Sequence, residues 1–419
     1  MRPLLLAIIA LTAPAVSTGA EANPSGFALQ DGDTVAFLGD SITAARNYSK
    51  IVEDYTLMRF PERKIRFLNV ARGGETAQAA LERLQNAVLD QHVTVLTVAY
   101  GINDIGWGTK ADSEHEAAYL DGLDKIITRC QEKGIRVFIC SAAITSIPPD
   151  EAEKGFLQQM CDKGLALAKE RHAGTIDLMR PMREVQRRVI AANANEKDPA
   201  KHTLLHTPDG VHLNDLGQMA MAWAMLKGLG APADSSSAMM DARLGMVVRQ
   251  EACKIGNVAM APDSFKFTRL DDRLPFNLSP LWVLMGWHIP LSEDLNRYQL
   301  TIAGLSPGTY EITADGRGIG KWNEQQLAKG INIASASAVP GEPGGPWQIQ
   351  GQLTAALTNV RDELEAISAS ESSLLPKDSG KEELIARTRA IEGEIVALQR
   401  DMARPVPVAF EVKKTAAKE

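Results

Sequence analysis

The sequence contains only four cysteines in 419 residues, and their placement argues against several kinds of site. They show no Cys-x-x-Cys spacing and no histidines cluster beside them, so the usual zinc motifs are missing. They are also too sparse for the disulfide framework of a small secreted domain. Cys140 lies in a strand-like segment that favours a buried free thiol. The sequence does not exclude a single disulfide, but it identifies no pairing among Cys130, Cys140, Cys161 and Cys253.

Clusters of lysine and arginine are also lacking, and the formal net charge is -7. Binding to nucleic acid or to anionic lipid requires concentrated positive charge, so neither is expected. The hydrophobic fraction of 45% indicates a globular core. We therefore expect a neutral or small substrate, and the oligomeric state stays unknown.

Long hydrophobic runs are lacking after the first 22 residues, which have the layout of a secretory signal peptide. Arg2 precedes an apolar run from Leu4 to Val16, and the small residues Ala20 and Ala22 follow. The run is shorter than the stretch of about 20 apolar residues that a membrane-spanning helix needs. We therefore predict cleavage after residue 22, a secreted or periplasmic protein, and no membrane anchor after cleavage.

Short apolar runs alternate with amphipathic stretches between residues 33 and 230, a pattern typical of a parallel sheet with crossover helices. The sequence predicts an α/β, three-layer α/β/α domain over residues 23–230. Its five predicted strands cover residues 35–38, 66–70, 94–100, 136–141 and 175–178. Its predicted helices cover residues 48–60, 76–90, 113–133, 151–171 and 215–229.

The C-terminal region, residues 231–419, has a different pattern. Residues 231–237 are interpreted as a linker or surface loop. Alternation over residues 298–302 and 310–314, with a Pro-Gly turn between them, predicts a β-hairpin. Residues 408–412 add a strand, so we predict a small β domain over about 298–335 and 405–413.

Two amphipathic helices are predicted inside that region, over about residues 350–402. Apolar residues recur at steps of three and four, and residues 376–380 separate the two helices. Packing against the rest of the protein is the favoured interpretation. A coiled coil that binds a partner is the alternative. The apolar positions are Leu353, Leu357, Val360, Leu364, Ile367, Leu384, Ile391, Ile395, Leu398 and Met402.

Ser41 stands at the tip of the first predicted strand, where an α/β enzyme displays a nucleophile. A serine hydroxyl attacks at neutral pH only if a neighbouring base takes its proton. His212 is the best candidate base, and Asp209, three residues before it, would orient the imidazole. Asp40 is interpreted as a structural residue of the turn.

Oxyanion stabilisation requires preorganised donors near that serine. The amide of Ser41, a glycine amide and the side chain of Asn103 are the candidates. Trp107, which follows Asn103, either floors a sugar or acyl pocket or simply packs. No metal or organic cofactor is needed for this chemistry.

Four blocks, in order, make the chain resemble the SGNH hydrolase superfamily of GDSL-type esterases and lipases. They are Gly39-Asp40-Ser41-Ile42-Thr43, Asn69-Val70-Ala71-Arg72-Gly73-Gly74-Glu75-Thr76, Gly101-Ile102-Asn103-Asp104 and Asp209-Gly210-Val211-His212. The resemblance covers residues 33–230 and implies a flavodoxin-like fold and ester hydrolysis through an acyl-enzyme. It assigns the oxyanion glycine to Gly74, with Gly73 as the alternative.

The combined prediction is a secreted serine esterase with Ser41, Asp209 and His212 as its catalytic triad. Ser41, Gly74 and Asn103 form the oxyanion hole. Export and an acidic surface favour short-chain acyl esters, including acylated carbohydrates. Three alternatives remain: a lipase or lysophospholipase, a thioesterase, and a glycan- or surface-binding protein with a subsidiary hydrolase domain.

Overall fold

The computed structural model describes residues 26–261, 264–277, 286–371 and 380–415. The predicted signal peptide lies outside these residues. Within them, no helix combines the length and apolarity needed to cross a bilayer.

A five-stranded parallel sheet forms the centre of the N-terminal half, as predicted. Its spatial order is β2-β1-β3-β4-β5, so β1 lies between β2 and β3, the next two strands along the chain. The strands are β1 (Thr34–Gly39), β2 (Arg66–Asn69), β3 (Val95–Ala99), β4 (Arg136–Cys140) and β5 (Gly174–Ile176).

Helices cover both faces of this sheet, which gives the predicted three layers. Alternate residues of β1 face opposite cores: Val35 and Phe37 point to one, Ala36 and Leu38 to the other. The helices are α1 (Ser41–Ala44), α2 (Asn47–Arg59), α3 (Leu84–Ala87), α4 (Ser113–Gln131), α5 (Pro149–Ala152), α6 (Phe156–Glu170), α7 (Met179–Asn193) and α8 (Asp215–Gly228).

Three helix predictions differ from the structure. The predicted helix 76–90 is a series of short turns that includes α3, and it leaves helical geometry at Arg83, whose side chain pairs with the buried Glu75. The predicted helix 151–171 is interrupted, because Gly155 has extended backbone between α5 and α6. Helix α7 was not predicted, although its buried Met182, Val185 and Val189 have helical spacing.

The C-terminal half contains two further sheets. One has the order β13-β10-β6-β7 and the other β12-β11-β14-β9-β8. The strands are β6 (Asp234–Asp241), β7 (Met246–Glu251), β8 (Cys253–Ala261), β9 (Ser264–Asp271), β10 (Arg297–Ala303), β11 (Thr309–Ala314), β12 (Arg317–Asn323), β13 (Ile331–Asn332) and β14 (Val408–Lys414).

Two sequence interpretations of this half are wrong. Residues 234–237 are not a linker but the start of β6, where the buried Ser236 hydroxyl bonds to Asp271 at 2.5 Å. The predicted hairpin does not form either, because β10 and β11 belong to different sheets. Instead β11 pairs with β12 through a turn at Asp315 and Gly316, both with positive φ.

Two long helices, α11 (Pro346–Glu371) and α12 (Lys381–Met402), form the predicted helical pair. Two short helices precede them, α9 (Leu291–Asp294) and α10 (Glu324–Lys329). The face of α11 that is buried against α2 is polar, contrary to the amphipathic prediction. Predicted apolar positions such as Leu353 and Val360 are about half exposed, at 47% and 51%.

The polar contact between α2 and the helical pair is called here the α2–α11 cluster. Arg361 pairs with Glu53, and Arg46 pairs with Asp362 and Glu365. Its members are Arg46, Glu53, Asp54, Thr358, Arg361, Asp362, Glu365 and Gln399. An apolar core that runs from Val35 to Val412 also joins the two halves.

Candidate active site

Ser41 is the first residue of α1, directly beyond the end of β1. Asp40 caps this helix, since its Oδ1 accepts a hydrogen bond from the Ile42 amide at 2.9 Å. Gly39 allows the tight connection, because a Cβ there would lie 2.3 Å from Thr43 Oγ1 and 2.8 Å from the Ala99 carbonyl oxygen. Because Ser41 is at the start of the helix, its backbone N–H has no acceptor within the helix and is available to donate a hydrogen bond to a ligand.

The strand order places Ser41 where open α/β sheets bind ligands. From β1 the chain moves to β2 on one side and then to β3 on the other, so the connections diverge at this point. The loop after β2 carries Gly73 and Gly74, and the loop after β3 carries Asn103. All of these residues therefore lie at the carboxyl edge of the sheet.

His212 lies within hydrogen-bonding distance of Ser41, with its Nε2 2.8 Å from Ser41 Oγ. Its Nδ1 is 2.6 Å from Asp209 Oδ2. The structure thus joins residues 171 positions apart into one chain of hydrogen bonds from carboxylate to imidazole to hydroxyl.

A tight turn holds this carboxylate and imidazole together. Asp209 Oδ1 accepts hydrogen bonds from the amides of Val211 and His212, both at 2.9 Å, and from the hydroxyl of Thr207. Gly210 has a φ of +73°, and a Cβ there would lie 2.4 Å from Ser146 Oγ. The turn therefore requires glycine at this position.

Hydrogen bonds shift the ionisation of Asp209. The bond to His212, followed by those from the two amides, holds the pKa of its carboxyl well below the usual range. Asp209 is therefore an anion at neutral pH, as an orienting partner of an imidazole must be. By contrast, burial raises the pKa of Asp40 to about 6, although the capping bond from the Ile42 amide acts in the opposite direction.

The glycine loop lies against Ser41. A Cβ on Gly73 would be 3.9 Å from Ser41 Cβ, and Gly74 adopts a φ of +75°. The Glu75 amide closes this turn by bonding to the Arg72 carbonyl at 3.3 Å. Asn103 reaches the same loop, because its Nδ2 donates to the Glu75 carbonyl oxygen at 3.2 Å.

Asn69 also contributes to the site region, although its sequence pattern was not assigned a role in the site. Its Nδ2 donates to the Thr43 carbonyl oxygen at 2.8 Å and to Ser49 Oγ at 3.1 Å. It therefore ties the end of β2 to the segment that follows the serine. Its position at the head of the second block was the signal that could have identified it.

The described residues contain no group of three or more His, Cys, Asp or Glu side chains that could hold a metal ion. All four cysteines are free and buried. Burial raises the pKa of Cys130, Cys140 and Cys161 to about 12, so these thiols are protonated and unreactive.

Comparison with known proteins agrees with this architecture. Residues 37–220 match the GDSL-like Lipase/Acylhydrolase family. A search of curated proteins found no significant match.

Three solved structures are similar to this chain. A gut microbial diltiazem-metabolizing enzyme is 21% identical, covers 92% of this chain and 98% of its own, and superposes with a TM-score of 0.76. An alpha/beta hydrolase from the metagenome of Lake Arreo, Spain, is 20% identical over 49% of this chain and 98% of its own, at 0.41. An acetyl xylan esterase from Geobacillus stearothermophilus is 20% identical over 48% and 96%, also at 0.41.

The similarity to the diltiazem-metabolizing enzyme covers the C-terminal sheets and helical pair as well as the parallel sheet, so both halves of the fold recur together. The family match covers less than half of the chain. Through residues 37–220 the chain is similar to GDSL-like lipases and acylhydrolases, and this similarity supports a serine ester hydrolase.

Proposed function

We propose that Ser41 is the nucleophile of this hydrolase, His212 its general base and Asp209 the residue that orients the base. The observation that carries this assignment is the hydrogen-bond chain from Asp209 Oδ2 through the imidazole to Ser41 Oγ. An anionic Asp209 fixes the proton of His212 on Nδ1 and leaves Nε2 free to accept the proton of the serine.

The reaction then proceeds in two halves. Ser41 Oγ attacks the ester carbonyl carbon while His212 Nε2 takes the hydroxyl proton. Collapse of the tetrahedral intermediate expels the alcohol, which receives that proton from His212, and leaves an acyl group on Ser41. A water molecule, deprotonated by His212, attacks the acyl-enzyme and releases the carboxylic acid.

The negative charge of each tetrahedral intermediate falls on the former carbonyl oxygen. We assign its stabilisation to the amides of Ser41 and Gly74 and to Asn103 Nδ2. The Ser41 amide stands at the start of α1, where backbone N–H groups have no acceptor within the helix. Gly73 remains the alternative to Gly74, because both lie in the loop against Ser41.

For the substrate we propose a short-chain acyl ester, with acylated carbohydrates as the favoured class. The side chains of His212 and Asp209 keep 32% and 37% of their surface exposed. This leaves room for a bulky polar alcohol. The signal-peptide pattern of residues 1–22 supports action outside the cytoplasm.

The test compares rates on p-nitrophenyl acetate, butyrate and longer acyl esters, together with an acetylated polysaccharide. We expect the acetyl ester to be preferred. A preference for long chains would instead assign the enzyme to the lipases.

Ser41→Ala should reduce kcat by at least about 10³-fold without changing the thermal unfolding temperature, because it removes the nucleophile and no core contact. It should also abolish labelling by a serine-directed phosphonate. Ser292→Ala, at an exposed serine of α9, is the matched control and should leave both properties unchanged. A Ser41→Ala protein that retained its rate would refute the assignment of the nucleophile.

A further inference from the structure

Trp107 has an unusual conformation for an aromatic residue beside the candidate site. Its backbone adopts φ 58° and ψ 30°, the left-handed region that side chains with a Cβ rarely occupy. Its ring is 48% exposed, so core packing does not explain this conformation. A conformation that costs free energy persists when other contacts hold it, and such residues cluster at functional sites.

One of these contacts is a hydrogen bond to Asn103. The indole Nε1 of Trp107 donates to Asn103 Oδ1 at 2.9 Å. An indole nitrogen can only donate, so the atom that it meets must be the amide oxygen and not the nitrogen. On the other side, the Glu75 carbonyl can only accept, and it receives Asn103 Nδ2. Both partners therefore demand the same orientation of the amide.

The second contact is with the base. The rings of Trp107 and His212 meet edge to face, with their centroids 5.5 Å apart and an interplanar angle of 68°. One side chain thus contacts the imidazole and, through its N–H, the candidate oxyanion donor. This arrangement differs from a simple pocket wall, which would not need the hydrogen bond.

We propose that Trp107 is a positioning residue that fixes the orientation of the Asn103 amide for oxyanion stabilisation. The proposal rests on the function assigned above, in which Asn103 Nδ2 is a donor. Nδ2 carries two hydrogens, of which one goes to Glu75 and the other remains for the substrate oxygen. Without the indole N–H only the Glu75 carbonyl fixes the amide. Rotated orientations, in which the amide oxygen would repel the developing negative charge, should then be populated more often.

This role predicts a specific kinetic effect. An amide in the wrong orientation weakens binding of the transition state more than binding of the neutral ester, so kcat should fall while KM changes little. A pocket wall would act in the opposite way and raise KM. The two interpretations of Trp107 are therefore separable by steady-state kinetics.

The experiment is a double-mutant cycle with Trp107→Phe and Asn103→Ala on p-nitrophenyl acetate. Trp107→Phe keeps an aromatic ring beside His212 and removes only the N–H. We expect a loss of about tenfold in kcat, the worth of one hydrogen bond, and an unchanged pH profile of kcat/KM. Asn103→Ala should reduce kcat by about 10²-fold or more. In the Asn103→Ala background, Trp107→Phe should have no further effect.

The matched control is Trp287→Phe, at a tryptophan that is 78% exposed, and it should retain the wild-type rate. Thermal unfolding of each variant confirms that the fold is retained. Equal rates for Trp107→Phe and wild type, or additive losses in the double mutant, would overturn the positioning role alone. A wild-type protein without esterase activity would overturn the proposed function as well.

Discussion

At the scale of single residues, the chain contains two Asp-x-x-His turns, and they show how little such a motif specifies. Asp112 Oδ1 lies 2.8 Å from His115 Nδ1, much as Asp209 lies 2.6 Å from His212. The first pair caps α4 on the surface. Only the second reaches a serine hydroxyl, so the fold and not the motif decides which histidine can act as a base.

Asp209→Asn should reduce kcat by about 10³-fold, because a neutral amide cannot stabilise the imidazolium and favours the wrong tautomer. The asparagine oxygen can still accept the amides of Val211 and His212, so the turn should persist. Steady-state rates and thermal unfolding measure the two effects. Asp112→Asn provides the control and should retain the full rate; equal losses in both variants would contradict the assignment.

At the scale of secondary-structure elements, the turn between α1 and α2 is held from outside the family domain. Arg46, in this turn, has a φ of +65°. Its guanidinium pairs with Asp362 at 2.8 Å and with Glu365 at 3.1 Å, both on α11. The helical pair therefore stabilises the segment that begins with Ser41.

Arg46→Gln should destabilise the protein by about 2 kcal/mol, because it removes the ion pairs that Arg46 makes with two largely buried carboxylates. It should also lower kcat several-fold, since α1 loses one of its supports. Denaturant unfolding and kinetics with p-nitrophenyl acetate provide the measurements. The control is Arg180→Gln, which removes an exposed arginine that also pairs with two carboxylates. It should lower the free energy of unfolding by less than about 1 kcal/mol.

The sequence predicted elements that are encoded by contiguous apolar runs or short motifs. It did not predict elements that depend on residues distant in the chain. The central strands β1, β3 and β4 of the parallel sheet are mostly apolar runs, and Ser41, Asp209 and His212 lie in short contiguous motifs. Strand β6 begins with polar residues, and the hydroxyl of its Ser236 bonds to Arg269 and Asp271 on β9. Such pairing across 30 residues or more leaves no periodic trace in the sequence.

At the scale of the whole molecule, the two halves meet through a polar contact as well as an apolar one. Asp54 is buried in the α2–α11 cluster, where its Oδ1 accepts the hydroxyl of Thr358. Burial raises the pKa of Asp54 well above its usual value. The amphipathic pattern of α11 could not predict this contact, because the buried face carries charges that pair with Glu53 on α2 and with Arg46 just before it.

Stability should therefore depend on pH through Asp54. Well below pH 3.8 the carboxyl is protonated in both states; as pH rises, the unfolded state ionises first, so stability falls until the folded pKa is passed. Asp54→Asn cannot ionise. Its stability relative to wild type should therefore be greater at pH 8 than at pH 4.

Denaturant unfolding at the two pH values measures this difference. Glu363→Gln, at an exposed carboxylate of α11, is the control and should show the same stability relative to wild type at both. An Asp54→Asn protein whose relative stability did not change with pH would contradict the buried-carboxyl explanation.

Strand β14 lies in the middle of its sheet, between β11 and β9. During synthesis on the ribosome, β9 and β11 emerge well before residues 408–414. Until β14 is made, the edges of β9 and β11 that pair with it are exposed. Exposed edges of this kind are sites of intermolecular pairing. We therefore expect premature termination before residue 408 to yield aggregated protein, although every residue of the candidate site has by then been made.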